Sequence, residues 1–175
     1  MKALAAFVIF LGFSGVIYAQ QKPVDEKSEV SFTIKNFGIN TSGSLKGLKG
    51  SIVFDASNPS ASSFNVSVDV NTINTGIENR DDHLKKEEYF NVGKYPTIAF
   101  VSSSIKKENE GYSVSGNLTV KGISKVISFP FKAENKDNGV LLTGEFSINR
   151  KDFDVGGSSA VLGNSVNVSL KVFAN

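Results

Sequence analysis

The sequence has no cysteine and only one histidine, His83, among its 175 residues. The first absence excludes disulfides, thiolate metal sites, cysteine nucleophiles and the lipidated cysteine of a lipoprotein. The second leaves general acid–base chemistry with a single imidazole near neutral pH. A metal site would have to be built from carboxylates around His83, and Asp81 and Asp82 point in different directions if they lie on a helix. No Gly-x-Ser-x-Gly elbow accompanies the serines, which fall on outward strand positions. Charge is also lacking in excess: Lys+Arg 19 against Asp+Glu 17 gives a formal net charge of +2, interspersed and without a basic stripe. Electrostatics therefore offers nothing to a nucleic acid. We expect no enzyme, no metal and no cofactor.

What is present begins with an export signal. Lys2 supplies a positive start, residues 3–13 are apolar, and Ala19 provides the small residue before a cut between Ala19 and Gln20. The apolar stretch is interrupted and short of the roughly 20 residues that span a bilayer, so a cleaved signal peptide over 1–19 is preferred to a membrane anchor. Residues 20–175 then form one domain, soluble after cleavage and either periplasmic or secreted.

From Ser28 onward the chain alternates apolar and polar residues with the two-residue period of strands that bury one face. Val30, Phe32 and Ile34 alternate with Ser31, Thr33 and Lys35. Phe64, Val66 and Val68 alternate with Asn65, Ser67 and Asp69, and Val166, Val168, Leu170 and Val172 with Asn167, Ser169 and Lys171. Comparable runs contain Leu118, Phe129 with Phe131, and Phe146. With residues 44–54 and 97–104 there are eight candidate strands. Asn58-Pro59, Asn109-Glu110-Gly111, Lys121-Gly122 and Asp137-Asn138-Gly139 punctuate them with turn chemistry. The exception is the long charged link from Ile73 to Thr97, in which residues 81–90 read as one short helix edged by Leu84, Tyr89 and Phe90. Gly43, Gly47 and Gly50 precede no helix, so they read as strand bends and not as a phosphate loop.

Eight antiparallel strands in an up-and-down order close most readily into a barrel, since closure removes the exposed edges. A sandwich of two sheets is the competing solution. At eight strands a barrel is either just filled by side chains or holds one small ligand. The alternation alone does not choose between them.

A family resemblance sharpens the choice. Residues 71–100 contain Asn71-Thr72-Ile73-Asn74-Thr75-Gly76, Arg80-Asp81-Asp82-His83-Leu84, Tyr89-Phe90 and Lys94-Tyr95-Pro96-Thr97-Ile98-Ala99-Phe100. This resembles the signature of the YceI-like lipid- or polyisoprenoid-binding family. The likeness continues through Ser31–Gly38, Gly50–Asp55, Gly116–Ile123 and Phe146–Phe153, with Asn36 where the family usually has histidine. The resemblance implies an all-β, lipocalin-like eight-stranded barrel whose apolar tunnel holds a long isoprenoid lipid, of the polyprenyl phosphate or isoprenoid quinone type. The protein would be a soluble carrier or sequestering protein. The alternative is a non-catalytic envelope interaction module with a barrel filled by its own side chains.

On the inward positions, the tunnel would be lined by Phe32, Ile34, Phe54, Val66, Val68, Phe100, Leu118, Phe129, Phe131 and Phe146, with Arg80 and His83 as possible head-group contacts. A surface pair of Arg80 with Asp82, or a helix cap at Asp81, competes with that role. At roughly 0.3 kcal/mol per ligand heavy atom, each five-carbon unit contributes about 1.5 kcal/mol.

Overall fold

The computed structural model describes residues 20–175. The expected signal peptide, 1–19, lies outside the described residues. Eight strands, β1 (Glu29–Asn36), β2 (Ile39–Val53), β3 (Ser63–Asn74), β4 (Thr97–Glu108), β5 (Gly111–Val120), β6 (Ile123–Lys136), β7 (Gly139–Asn149) and β8 (Leu162–Ala174), form one closed barrel in chain order. Every neighbour is antiparallel, and β1 closes on β8 with Phe32 opposite Val168. The sheet is a barrel and not a sandwich.

The turns explain the tight connections. Asn36 pairs with Ile39 and Val120 with Ile123, so each hairpin turns on two residues. Those residues, Phe37 and Gly38 in one and Lys121 and Gly122 in the other, all have positive φ, the turn geometry whose twist matches paired strands. The register of β2 against β3 shifts between Ser44 and Lys46 and between Lys46 and Lys49; Gly47 (φ +72°) lies in the second shift and Gly50 (φ +129°) just beyond it. A Cβ on Gly50 would stand 2.1 Å from the Asn65 carbonyl oxygen, so that position accepts no side chain.

Two sequence expectations need correction. Strand β2 begins at Ile39 and not at residue 44, because Ile39 to Gly43 pairs with β1 although its polar and glycine residues hide the alternation. The helix α1 spans Glu78–Leu84 and not 81–90. Tyr89 and Phe90 belong to the turns after it, where the Phe90 amide donates back to the Leu84 carbonyl (3.0 Å).

Because the strands run up and down, β1, β3, β5 and β7 all finish at one end of the barrel, together with α1 and a 3-10 turn over Arg150–Phe153. At the opposite end β2 and β8 outrun the start of β1, and residues 21–24 fill the gap. Gln21 bridges to Ile52, Pro23 bridges to Ala174, and the Val24 amide donates to Phe173 O (2.8 Å).

Candidate functional site

Inward side chains fill the barrel at the second end. Phe54 meets Tyr112 edge-on (5.0 Å between centroids), Tyr112 stacks on Phe131 (5.3 Å) and Phe64 meets Phe131 (5.5 Å). Ile105, Val114, Val140 and Ala174, each at most 3% exposed, pack around them. Offset and edge-on rings of this kind pack without voids. Toward the first end the inward residues include Val30, Phe32, Ile34, Val66, Val68, Phe146, Val166 and Val168, and the space that they enclose is open. The result is a cavity of about 280 Å³ whose exposed wall is almost wholly apolar. That volume lies near the lower edge of the roughly 300–1,000 Å³ typical of ligand pockets.

The cavity brings together Phe32, Ile34, Val66, Val68, Phe100, Leu118, Phe129, Phe131 and Phe146, with Phe129 stacked on Phe146 at 4.5 Å. Phe54 stands apart. It continues the inward alternation of Ile52, but it lies beyond the end of β2 and its ring belongs to the aromatic plug. Glycine makes room for the wall: a Cβ on Gly43, opposite Phe32, would come within 2.4 Å of that ring.

Besides Ser31, Ser67 and Thr143 along the walls, the polar residues of the cavity lie toward its mouth. Arg80 donates through Nε to Thr75 Oγ1 and through Nη2 to Thr75 O, both at 2.7 Å. Thr75 in turn donates from its amide (2.9 Å) and its hydroxyl to Asp81 Oδ1. Arg80 is thereby held in the cavity wall. It makes no pair with Asp82, which instead faces Lys85 at 3.4 Å, and Asp81 closes the loop before α1 by accepting from Thr75. His83 lies outside the cavity wall. Its ring meets Tyr89 edge-on at 4.9 Å, its Nδ1 is 3.8 Å from a Glu88 carboxylate oxygen, and its side chain is 49% exposed. Of the two residues expected at a head group, Arg80 lines the cavity and His83 does not.

Sequence reasoning missed Arg150. It is 4% exposed and lines the cavity, yet its guanidinium donates only to backbone carbonyls. Nε reaches Gly163 O (2.8 Å), while Nη1 reaches the carbonyls of Val155 (2.7 Å), Gly156 (2.6 Å) and Gly157 (2.8 Å). A forked donor set suits this role because one arginine can satisfy several loop carbonyls that form no ladder. The signal was available, since Leu142, Gly144, Phe146 and Ile148 share a face on which residue 150 is next. Asn36 follows Phe32 and Ile34 by the same rule and also lines the mouth. Two contacts tie the rim together: Gly156 N donates to Glu88 O (2.8 Å), and Lys121 Nζ to Asp154 O (2.6 Å).

The arrangement is a blind apolar bore with two guanidinium groups at its opening. Among the described residues no group of three or more His, Cys, Asp or Glu side chains is placed to hold a metal ion.

Residues 22–174 match the YceI-like domain. A UPF0312 protein of Yersinia enterocolitica is 36% identical over 129 residues, covering 71% of this chain and 67% of the relative. The protein YceI of Salmonella agona is 34% identical over 130 residues, with 72% and 68% covered. Among solved structures, BcnA of Burkholderia cenocepacia superposes with a TM-score of 0.83 at 25% identity, covering 87% of this chain and 99% of that one. A polyisoprenoid-binding domain from Saccharophagus degradans has the same fold, with a TM-score of 0.70 at 17% identity over 91% and 99%.

Proposed function

The chain belongs to the YceI-like family, and from that premise we propose that it is an exported, non-catalytic carrier that takes the chain of an isoprenoid lipid into its cavity and holds a polar or anionic head group at Arg80. The observation that carries this reading is a cavity apolar along its wall, blind at one end and bordered by Arg80 and Arg150 at the other. The export step rests on the sequence of residues 1–19.

Magnitudes favour a role for the head group. Leu142 on β7 and Arg150 just past its end lie at opposite limits of the cavity, eight residues apart. At about 3.3 Å per residue and a strand tilt near 40°, that gives roughly 20 Å of depth. An extended isoprene unit adds four carbon–carbon bonds of about 1.5 Å, or roughly 5 Å after zigzag, so about four units fit. Their burial supplies about 6 kcal/mol, equivalent to tens of micromolar. A charge-assisted hydrogen bond from Arg80, at about 1.5–3 kcal/mol, brings binding to the micromolar level or below. The tail supplies most of the energy and the head group decides between lipids of equal length.

Native mass spectrometry of freshly purified protein tests the reading, with one apolar lipid per barrel as the expected result. Arg80→Gln should weaken a polyprenyl phosphate by roughly tenfold or more and leave the uncharged prenyl alcohol unchanged. A barrel that purifies empty and takes up neither compound would overturn the proposal.

A further inference from the structure

The open end exposes more apolar surface than its fold requires. Phe37 and Ile39, at the tip of the β1–β2 hairpin, are 72% and 70% exposed, and Ile77 and Val161 are 53% and 41% exposed. Phe37 and Val161 adjoin. The Phe37 amide donates to Val161 O at 2.9 Å, which sets the hairpin tip beside the loop that leads into β8. The register places Ile39 opposite Asn36, on the face that continues through Thr41 into the cavity. Ile77 follows shortly after Thr75, whose methyl group packs near Gly43 of β2.

Three properties distinguish this patch from apolar residues scattered on a soluble surface. Phe37 stands at φ +51°, in the left-handed region where a bulky side chain is unfavourable and glycine or asparagine is the usual choice. Neither residues 36–45 nor residues 155–170, the two segments that meet at the tip, contain a charged side chain. The patch is also continuous with the opening of the cavity, since Asn36, Thr41 and Leu162 belong to its wall.

Resting on the reading of the cavity as a lipid site, we propose that this rim docks on the surface of a lipid bilayer and sets the mouth at the boundary between head groups and acyl chains. The hairpin tip and the loop into β8, built from apolar residues, glycine, serine, threonine and asparagine, carry no charge of their own to desolvate in that zone. A hydrocarbon tail then passes between bilayer and bore without exposing its length to water. A second copy docked mouth to mouth would bury the same residues and seal the bore, which opposes exchange.

The test is flotation of the purified protein with vesicles of phosphatidylcholine alone. The triple variant Phe37→Asn, Ile39→Ser, Val161→Ser removes the apolar tip, and asparagine suits the left-handed position, so the fold is retained. We expect the unsubstituted protein to float with the vesicles at low and high salt. The triple variant should lose partition by roughly a hundredfold or more, at about tenfold for each side chain, while keeping its lipid by native mass spectrometry. Val126→Ser, which removes a 73% exposed residue from the outer wall of β6, should leave partition unchanged. The docking proposal is overturned if the unsubstituted protein does not float, if the triple variant floats equally well, or if the substitutions abolish a dimer and not vesicle binding. A lipid-filled protein that ignores vesicles defeats docking alone; an empty protein that binds them through the patch defeats the carrier reading alone.

Discussion

One set of eight strands builds two different ends. Where β2, β4 and β6 finish, inward positions carry Phe54, Phe64, Tyr112 and Phe131, whose rings meet across the barrel. Where β1, β3, β5 and β7 finish, the wall carries Ile34, Phe146, Ile148, Val166 and Val168 and ends on Asn36, Arg80 and Arg150, and these residues border a cavity. Alternation is the same at both ends; how the inward side chains meet differs. An antiparallel barrel thus sets the diameter by strand number and tilt, and the inward residues decide level by level whether that diameter is filled.

The contrast can be broken most severely at the plug. Phe131→Ala removes a ring that touches three aromatic neighbours and is 5% exposed. Urea unfolding should register a loss of about 3–5 kcal/mol; a loss below about 1 kcal/mol would mean that the aromatic cluster does not hold that end together. At the open end, Arg150→Met should cost about 2–3 kcal/mol, because the carbonyls of Val155, Gly156, Gly157 and Gly163 lose a shared donor. Hydrogen exchange should accelerate over residues 154–163 while the plug stays protected. Uniform acceleration at both ends would contradict that localisation.

Making the hollow half resemble the plug is a gentler change. Val168→Phe places a ring inside the cavity, where there is room for it, so stability should move by less than about 1.5 kcal/mol. The lipid retained in native mass spectra should become shorter or disappear. The smallest expected effect lies on the outer wall. Asp69 is held below its ordinary pKa by hydrogen bonds from the side chain and then the backbone of Asn71, with Lys49 adding a smaller attraction. Its folded pKa is depressed, so its contribution is present above the unfolded value, near 4, and disappears as pH falls through the lower folded value. Asp69→Asn should flatten that acid-limb decline by under about 1 kcal/mol in unfolding titrations and change nothing at either end of the bore.

The barrel was legible in the sequence because its core obeys a local rule. Val166, Val168, Leu170 and Val172 need no tertiary information to declare a buried face, and Lys121-Gly122 declares its turn. The tip at Phe37-Gly38 was harder to see, since phenylalanine is a poor advertisement for a left-handed turn. The helix boundary slipped because Leu84, Tyr89 and Phe90 share apolar character without sharing a helix. The hollow was illegible for a deeper reason: whether Phe54 lines a bore or plugs it depends on Tyr112 and Phe131, more than fifty residues away along the chain. Arg150 lay within reach of the alternation rule, but an arginine at an inward position contradicts hydrophobicity, and only the loop carbonyls around it explain its place.

The pairing of Lys22 with Asn175, in which each backbone amide donates to the other's carbonyl (2.8 and 3.1 Å), has a consequence for how the chain is made. The backbone pairing of Lys22 waits for Asn175, and Phe32 waits for Val168. Loop-closure entropy delays such contacts until the intervening hairpins have formed. A chain that has emerged only as far as β7 therefore holds a meander with both edges bare, and the sheet can close only once β8 is available to β1.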